Sequence, residues 1–312
     1  MLSKSQVVEL LNSYNATPSL ALGQNFLVDS NALEKIVNLA KVGVGDYVVE
    51  IGTGLASLTM ALARRGARVV SLEKDRTLFQ VARGIISEAQ LLVEGAQPFD
   101  PGKVVLKSQD AMKYDWTELN SLLHPDPMRV TVSDPDEAYC SWTCVSNLPY
   151  NIATPLIIGI LERVPEVARL VVLVQNEVAQ RLCALTSPVI SQKNRLNLSK
   201  SIGAVSLKVA YYGNAKAVYN LPPDVFYPKP NVQSTLIEIS RHKVPPVALQ
   251  RATSRQLFEL VEHGFATRRK MLSNSLAGLV GTAEFQAAKI DPARRPEELS
   301  LEDWVRLANS IY

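Results

Sequence analysis

Short runs of β-branched and other apolar residues alternate with segments of helical periodicity through the first two thirds of the chain. Amphipathic stretches at residues 57–66 and 154–164 predict helices between such runs. Buried strands that alternate with helices indicate βαβ units around a mainly parallel sheet. Five runs are predicted strands: 47–51 (YVVEI), 68–73 (RVVSLE), 103–109 (KVVLKSQ), 143–149 (TCVSNLP) and 170–176 (LVVLVQN).

The pattern changes toward the C-terminus. Residues 205–213 (VSLKVAYYG) and 234–240 (STLIEIS) are predicted to form an antiparallel pair of strands that closes the sheet. The strand signals then stop, and residues 251–312 have helical spacing. The sequence therefore predicts an α/β domain over residues 1–241 and a small helical domain over residues 242–312.

Composition is that of a globular protein, with 47% hydrophobic and 20% charged residues. No apolar run approaches the ~20 residues that a membrane span needs, and the first residues lack the features of a signal peptide. Three cysteines suit a reducing compartment, and Cys140 and Cys144 with three histidines make a poor zinc site. We therefore expect a cytoplasmic monomer with no metal and no membrane association.

Basic residues are concentrated in one segment. Residues 241–280 carry seven lysines and arginines against two glutamates, a net charge of +5, whereas the whole chain carries +3. This segment predicts a polyanionic partner, although a solvated helix face has the same composition. Its candidate contacts to nucleic acid are Arg268, Arg269 and Lys270.

A glycine turn follows the first predicted strand, in VVEIGTGLASLT (48–59). Gly52 and Gly54 allow a tight turn and a close approach of backbone to a ligand. The three-glycine dinucleotide fingerprint is incomplete, because Ala56 and Ser57 follow Gly54. By itself such a turn is found at the binding sites of many nucleotide cofactors and also in proteins where it binds no ligand.

Acidic residues end the next two predicted strands. Glu73 follows the glycines by about twenty residues and could accept both hydroxyls of a ribose. Asp110 could accept a hydrogen bond from the exocyclic amine of an adenine. Each acid alone is typical of a solvated strand end. Together, at the carboxyl ends of successive strands, they predict a site for a nucleoside-containing cofactor, of which S-adenosylmethionine is one.

The motif SNLPYN (146–151) follows the fourth predicted strand. The N6 amine of adenine is a poor nucleophile because its lone pair is delocalised into the ring. The Asn147 side-chain oxygen and the Leu148 carbonyl could each accept one N6 hydrogen and so aim the lone pair at a methyl donor. Tyr150 offers a face on which a flipped base can stack. An ordinary turn is the alternative, but the position after the glycine turn and two acids favours methyl transfer to adenine.

From about residue 20 to residue 312, apart from insertions at 94–103 and 124–142, the sequence resembles the rRNA adenine dimethyltransferase family, and within it the small-subunit branch. The matching motifs are LGQNFLVD (22–29), EIGTGL (50–55), SLEKD (71–75), QDAM (109–112), SNLPYNIATPLI (146–157), VQNEVAQRL (174–182), PPDVFYPKPNVQST (222–235), FATRRKMLSNSL (265–276) and RRPEELSLEDWVRLAN (294–309).

The resemblance implies a Rossmann-like class I methyltransferase domain followed by a small helical RNA-binding domain. It implies transfer of methyl groups from S-adenosyl-L-methionine to N6 of two adjacent adenosines in the 3′-terminal hairpin of small-subunit rRNA, within a pre-ribosomal particle and as part of small-subunit maturation. Three alternatives remain open: a large-subunit rRNA dimethylase of the macrolide-resistance type, a DNA adenine methyltransferase, and a non-catalytic ribosome-assembly factor on the same fold.

The resemblance also implies roles for individual residues. Asn25 and Leu27 would line the methionine end of the cofactor, and Tyr150 would stack on the target adenine with Phe226 as a second aromatic wall. The implied cofactor-binding residues are Asn25, Leu27, Gly52, Gly54, Glu73, Asp110 and Asn147. The implied catalytic residues are Asn147, Leu148, Tyr150 and Phe226.

The chain departs from the family pattern at four positions. Asn176 stands where the family usually has lysine, and Lys193 and Asn194 stand where it usually has tyrosine and glycine. Ser273 stands where it often has a further arginine. We expect these positions to face RNA, so they bear on RNA affinity and on the exact RNA partner.

Overall fold

The computed structural model describes residues 3–19, 22–94, 99–122, 141–186 and 201–312. The chain divides into two compact units, the first formed by Met1–Ala179 with Ala217–Ser240 and the second by Gln180–Lys216 with Arg241–Tyr312. The second unit therefore contains the predicted helical domain together with residues 180–216, which the sequence pattern places in the first domain.

The strands of the described residues are β1 (Phe26–Leu27), β2 (Tyr47–Ile51), β3 (Arg68–Glu73), β4 (Val104–Ser108), β5 (Trp142–Asn147), β6 (Val167–Gln175), β7 (Gly213–Leu221), β8 (Phe226–Tyr227) and β9 (Ser234–Arg241). Seven of these described strands form the main sheet, in the order β4-β3-β2-β5-β6-β9-β7. Pairing is parallel from β4 to β6, and β9 joins β6 in the antiparallel direction. The order reverses between β2 and β5, which is where α/β sheets bind ligands.

The central strands are rich in apolar residues because both faces of a parallel sheet are covered. Every residue of β2 is buried, and Val48, Val69 and Val145 share one core with residues of the neighbouring helices. Of the seven predicted strands, six are confirmed, two of them residue for residue and four within a few residues at each end. The α/β fold class and the mainly parallel sheet are thus confirmed.

Helices follow most of the strands. The helices are α1 (Lys4–Ser13), α2 (Ser30–Ala40), α3 (Ser57–Arg64), α4 (Arg76–Glu88), α5 (Glu118–Ser121), α6 (Ala153–Arg163), α7 (Asn176–Leu182), α8 (Ala204–Tyr212), α9 (Ser254–Ala266), α10 (Leu272–Ser275), α11 (Thr282–Ala288) and α12 (Leu301–Ile311). Within the described ranges, none of these helices has the length and apolarity required to cross a membrane.

The strand predicted at 205–213 is wrong, because this segment is helix α8. The strand beside β9 begins only where α8 ends, at Gly213. Leu207 and Tyr211, four residues apart on one helical face, pack into the core of the second unit with Phe258. β-Branched and aromatic residues favour strands only when packing agrees, and here packing with the helices of the second unit decides the outcome.

Candidate functional site

A cavity in the first unit lies at the carboxyl ends of β2, β3 and β5. The structure brings nine of the ten predicted cofactor and catalytic residues into its wall: Asn25, Leu27, Gly52, Gly54, Glu73, Asp110, Asn147, Leu148 and Tyr150. Three elements supply most of this wall, namely residues 22–27, the glycine turn after β2 and the loop after β5. Residues that are far apart in sequence therefore meet at one edge of the sheet.

The glycine turn has the backbone that its sequence predicts. Gly52 and Gly54 have φ values of +81° and +55°, which side chains rarely adopt. A Cβ on Gly54 would also lie 3.2 Å from the ring of Phe26. The Gly54 amide donates to Glu73 Oε2 at 2.9 Å, so the turn and the acid of β3 hold each other in place.

Glu73 is buried at the end of β3, and its second oxygen, Oε1, accepts from the Asp75 amide at 2.8 Å. Burial raises the pKa of Glu73 above its ordinary value, while hydrogen bonds from the backbone of Gly54, Asp75 and Lys74 lower it in part. A carboxylate has about four acceptor positions, so the carboxyl keeps acceptor capacity for a ligand hydroxyl. This geometry suits the predicted contact to a ribose.

Asp110 follows β4 and is held from two sides. Lys74 Nζ lies 3.0 Å from Oδ2, and the Met112 amide donates to Oδ1 at 3.0 Å. Partial burial raises the pKa of Asp110, but the bonds from Lys74 and Met112 outweigh it and leave the pKa below the ordinary value. Asp110 is therefore a charged acceptor, which suits an exocyclic amine.

Asn147 ends β5 with one half of its amide paired and the other half unpaired. Nδ2 donates to the Asn25 carbonyl at 2.8 Å. Oδ1 is buried and has no hydrogen-bond partner among the described residues. Leaving a buried acceptor unpaired costs about 1–3 kcal/mol, so a donor that enters the cavity and bonds to Oδ1 is favoured.

The loop after β5 is anchored to the sheet. The Leu148 amide donates to the Leu173 carbonyl at 3.3 Å, and the Tyr150 hydroxyl is hydrogen-bonded to Ser234 Oγ at the start of β9. Burial raises the pKa of Tyr150, which therefore stays protonated. The phenol is held at its hydroxyl end, so its ring keeps a fixed place in the cavity wall.

Phe226 is the predicted site residue that does not line the cavity. It is 2% exposed and pairs with Leu27 through the two-stranded sheet of β1 and β8. Leu27 itself does line the cavity. The role of Phe226 as a second aromatic wall stays a prediction.

Sequence reasoning did not single out Glu50, which also lines the cavity. Glu50 is 1% exposed, and its carboxyl accepts hydrogen bonds from the Ser71 and Thr59 hydroxyls. Burial raises the pKa of Glu50 to about 8, so it is largely protonated at neutral pH. The signal was present, because a glutamate within an otherwise apolar strand (YVVEI) is buried whenever both faces of that strand are covered.

The predicted nucleic-acid contacts lie just beyond the end of α9, in the second unit. Arg268 forms an ion pair with Glu297, whereas Arg269 and Lys270 are exposed. The departures at Lys193 and Asn194 and most of the insertion at 124–142 fall outside the described residues, as do residues 95–98 of the other insertion. The RNA-binding role of Arg268, Arg269 and Lys270 stays a prediction.

Two further departures can be placed. Asn176 begins α7, and its Oδ1 accepts from the Thr235 hydroxyl at 3.1 Å. Ser273 is exposed in α10. Across the described ranges, His, Cys, Asp and Glu form no group of three or more that could hold a metal ion.

Two solved structures share the fold. A dimethyladenosine transferase from Plasmodium falciparum has a TM-score of 0.63 at 18% identity, and the match covers 90% of this chain and 95% of that chain. The 23S rRNA methyltransferase ErmE has a TM-score of 0.58 at 19% identity, with 92% and 99% covered. At identities this low, the two structural matches show the fold alone, and they confirm the predicted Rossmann-like fold.

Sequence comparison establishes the family. Two relatives named ribosomal RNA small subunit methyltransferase A match nearly the whole chain. The one from Cutibacterium acnes is 34% identical over 318 residues, covering 100% of this chain and 94% of the relative. The one from Leifsonia xyli subsp. xyli is 36% identical over 313 residues, covering 99% and 98%. The family profile of ribosomal RNA adenine dimethylase matches residues 17–312. Since the matched residues include the whole wall of the cavity, the chain belongs to the ribosomal RNA adenine dimethylase family.

Proposed function

We propose that this protein transfers methyl groups from S-adenosylmethionine to N6 of two adjacent adenosines in the 3′-terminal hairpin of small-subunit rRNA. It acts as a cytoplasmic monomer on a pre-ribosomal particle during small-subunit maturation. Family membership supports the rRNA adenine substrate, and the names of the bacterial relatives support the small subunit. The observation that carries the proposal is the buried, unpaired Oδ1 of Asn147 in the wall of the cavity.

The cavity residues fit S-adenosylmethionine. Glu73 has acceptor positions left for the ribose hydroxyls, and Asp110 is a charged acceptor for the adenine amine. Residues 22–27 close the remaining side, where Asn25 and Leu27 would line the methionine end. When bound, S-adenosylmethionine supplies the electrophilic methyl group.

Asn147 and Leu148 act on the nucleophile. Asn147 Oδ1 accepts one N6 hydrogen and the Leu148 carbonyl accepts the other, which favours a pyramidal nitrogen with a localised lone pair. The bond from Nδ2 to the Asn25 carbonyl fixes the amide so that Oδ1 is the end left for the substrate. Alkylated N6 is acidic enough to give its proton to water, so no strong general base is needed.

Tyr150 holds the target base. An adenine inside a helix cannot present N6 to the cavity, so the base must be unstacked and turned out. The half-buried phenol ring, fixed through its hydroxyl, supplies a face on which the base stacks. Stacking on an aromatic side chain contributes about 1–3 kcal/mol per base, which offsets part of the free-energy cost of taking the base out of its helix.

The test is to map N6,N6-dimethyladenosine in both ribosomal RNAs of the source cells, with and without the gene. We expect the modification to disappear from two adjacent positions near the 3′ end of small-subunit rRNA. Loss from large-subunit rRNA would instead establish the resistance-type alternative. Unchanged methylation of both RNAs, with impaired subunit assembly, would establish the non-catalytic assembly factor.

A further inference from the structure

Gln24 lies in the segment that closes the cavity, and both ends of its side-chain amide are bonded. Oε1 accepts from the Ser19 amide at 2.7 Å, and Nε2 donates to Asp75 Oδ2 at 3.1 Å. Asp75 Oδ1 accepts from the amides of Thr77 and Leu78 at 2.9 and 3.1 Å, which caps α4. Gln24 therefore ties residues 22–27 to the N-terminus of α4.

The contact between Gln24 and Asp75 also connects to Glu73, the proposed ribose-binding acid. The Asp75 amide donates to Glu73 Oε1 at 2.8 Å, so the carboxylate that holds Gln24 belongs to the turn that orients Glu73. The contact is half-buried at both Gln24 and Asp75. One end of the closing segment is thus fixed to the cofactor half of the site.

The neighbours of Gln24 on either side contact the catalytic loop. The Asn25 carbonyl accepts from Asn147 Nδ2 at 2.8 Å. A Cβ on Gly23 would lie 3.0 Å from the Tyr150 amide nitrogen, so the backbone there is already in close contact. Three consecutive residues therefore connect the turn at Glu73 with Asn147 and Tyr150.

We propose that Gln24 is a positioning residue for methyl transfer, which anchors the closing segment so that the Asn25 carbonyl orients the amide of Asn147. The inference rests on the proposed function and deepens it. If the anchor is lost, the Asn25 carbonyl shifts and the Asn147 amide no longer presents Oδ1 to N6. A displacement of a reacting or orienting group by about 1 Å lowers the rate by about a hundredfold, and a smaller displacement lowers the rate by a smaller factor.

Hydrogen-bond polarity makes the contact testable. Glutamine accepts from Ser19 and donates to Asp75, whereas a carboxylate can only accept. Gln24→Glu keeps the bond from Ser19 and places two carboxylates together. In Asp75→Asn the remaining side-chain oxygen still caps α4. The new side-chain NH2 group, however, faces the NH2 group of Gln24, so two donors meet and no hydrogen bond forms between them. In Gln24→Glu/Asp75→Asn the donor and acceptor are exchanged, so every bond is restored at unchanged net charge.

The experiment measures single-turnover methylation of rRNA in unmethylated small subunits and S-adenosylmethionine affinity by calorimetry, for both single variants and the double variant. We expect each single variant to lose about tenfold or more in the single-turnover rate. We expect the double variant to return to within about threefold of the wild-type rate. The matched control is Gln80→Glu, which adds the same charge at an exposed position on α4 and should change neither measurement.

Rates within twofold of wild type in both single variants would overturn the inference, as would a double variant no faster than the slower single variant. A double variant that regains thermal stability but not the rate would show that the contact is only structural. Failure of the proposed function is distinguishable, because wild-type protein would then leave small-subunit rRNA unlabelled. The positioning role would then be rejected together with the proposed function, whereas rescue of thermal stability by the double variant, which needs no RNA, would still establish the contact between Gln24 and Asp75.

Discussion

At the scale of single residues, the site is defined by side chains whose bonding is incomplete or unusual. Asn147 is held through its nitrogen and leaves its buried oxygen unpaired. Buried polar groups are nearly always paired in folded proteins, so an orphaned acceptor in a cavity wall indicates a ligand that supplies the donor. Glu73 shows the complementary case, in which backbone amides occupy some of the acceptor positions of the carboxyl and leave capacity for a ligand.

We predict that Asn147→Ala lowers the single-turnover methylation rate about a hundredfold or more, the scale for removing one preorganised polar group from a transition state. RNA binding should be retained, because the basic segment is in the other unit. The matched control is Asn31→Ala, at an exposed position on α2, which should react at the wild-type rate. A rate near wild type for Asn147→Ala would show that Asn147 does not hold N6.

The raised pKa of Glu50 predicts that the stability of the folded protein depends on pH. Its pKa is about 8 in the folded protein against an ordinary value of 4.5, so between these values the folded state keeps a proton that the unfolded chain has released. The free energy of unfolding therefore falls as pH rises through this window, by at most about 1.4 kcal/mol per pH unit for one proton.

Glu50→Gln should remove this dependence, since the amide oxygen still accepts from Thr59 and Ser71. Chemical denaturation between pH 5 and 9 should show the variant gaining stability relative to wild type up to about pH 8. The exposed Glu88→Gln on α4 serves as control and should follow wild type. Parallel curves for wild type and Glu50→Gln would mean that Glu50 is ionised in the folded protein.

At the scale of elements, sequence reasoning located most of the sheet but not every strand. Strands β2 and β3 are short runs rich in β-branched and other apolar residues and bounded by turn residues, a local signal with which their packing agrees. Residues 205–213 carry the same residue types yet fold as α8, because contacts made by Leu207 and Tyr211 within the second unit decide their structure. Gln24 was missed for a related reason, because its partner Asp75 lies 51 residues away in sequence. Glu50 was missed although its place in a mostly apolar strand indicated burial.

Helix packing in the second unit leads to a prediction about Gly264. A Cβ at this position would lie 2.5 Å from the Trp304 ring, which is fully buried between α9 and α12. Gly264→Ala gains about 1 kcal/mol of helix propensity but overpacks the interface by about 1–3 kcal/mol, so we expect net destabilisation. At Gly159 in α6 the nearest atom is the flexible end of Arg163. Gly159→Ala should therefore stabilise, and urea denaturation of both variants checks the contrast.

At the scale of the whole molecule, the cavity and the basic segment belong to different units. The cavity residues all belong to the first unit, and residues 241–280 belong to the second. Under the proposed function, phosphate contacts would fix the register of the RNA without reading its sequence, and the cavity would select the base. We therefore expect methylation to depend on the shape of the RNA as well as on the target adenosines.

We predict that charge reversal at Arg269 and Lys270 weakens RNA binding and flattens its salt dependence. Each lost phosphate contact should reduce the slope of log K against log salt by roughly 0.7–0.9. Arg268 is left intact because it pairs with Glu297. Unchanged S-adenosylmethionine affinity serves as the folding control. A salt slope equal to that of wild type would identify the basic segment as an ordinary solvated surface.

We also predict that immature or partly assembled small subunits lacking these methyl groups are methylated efficiently, whereas the isolated hairpin is a poor substrate. The hairpin offers the target adenines without the surrounding phosphates, and remote contacts of this kind position the reacting amine. The comparison uses a radiolabelled methyl donor at equal target concentrations. Equal kcat/KM on both substrates would contradict the prediction.

The hydrogen bond between Tyr150 and Ser234 has a consequence for synthesis of the protein. Ser234 opens β9, which inserts beside β6 although β7 precedes it in the chain. A nascent chain that has emerged only as far as β6 already contains Glu73, Asp110 and Asn147, but it has nothing to hold the Tyr150 hydroxyl. If these residues have the roles proposed above, we expect a chain of this length to lack the anchored ring on which the target base stacks.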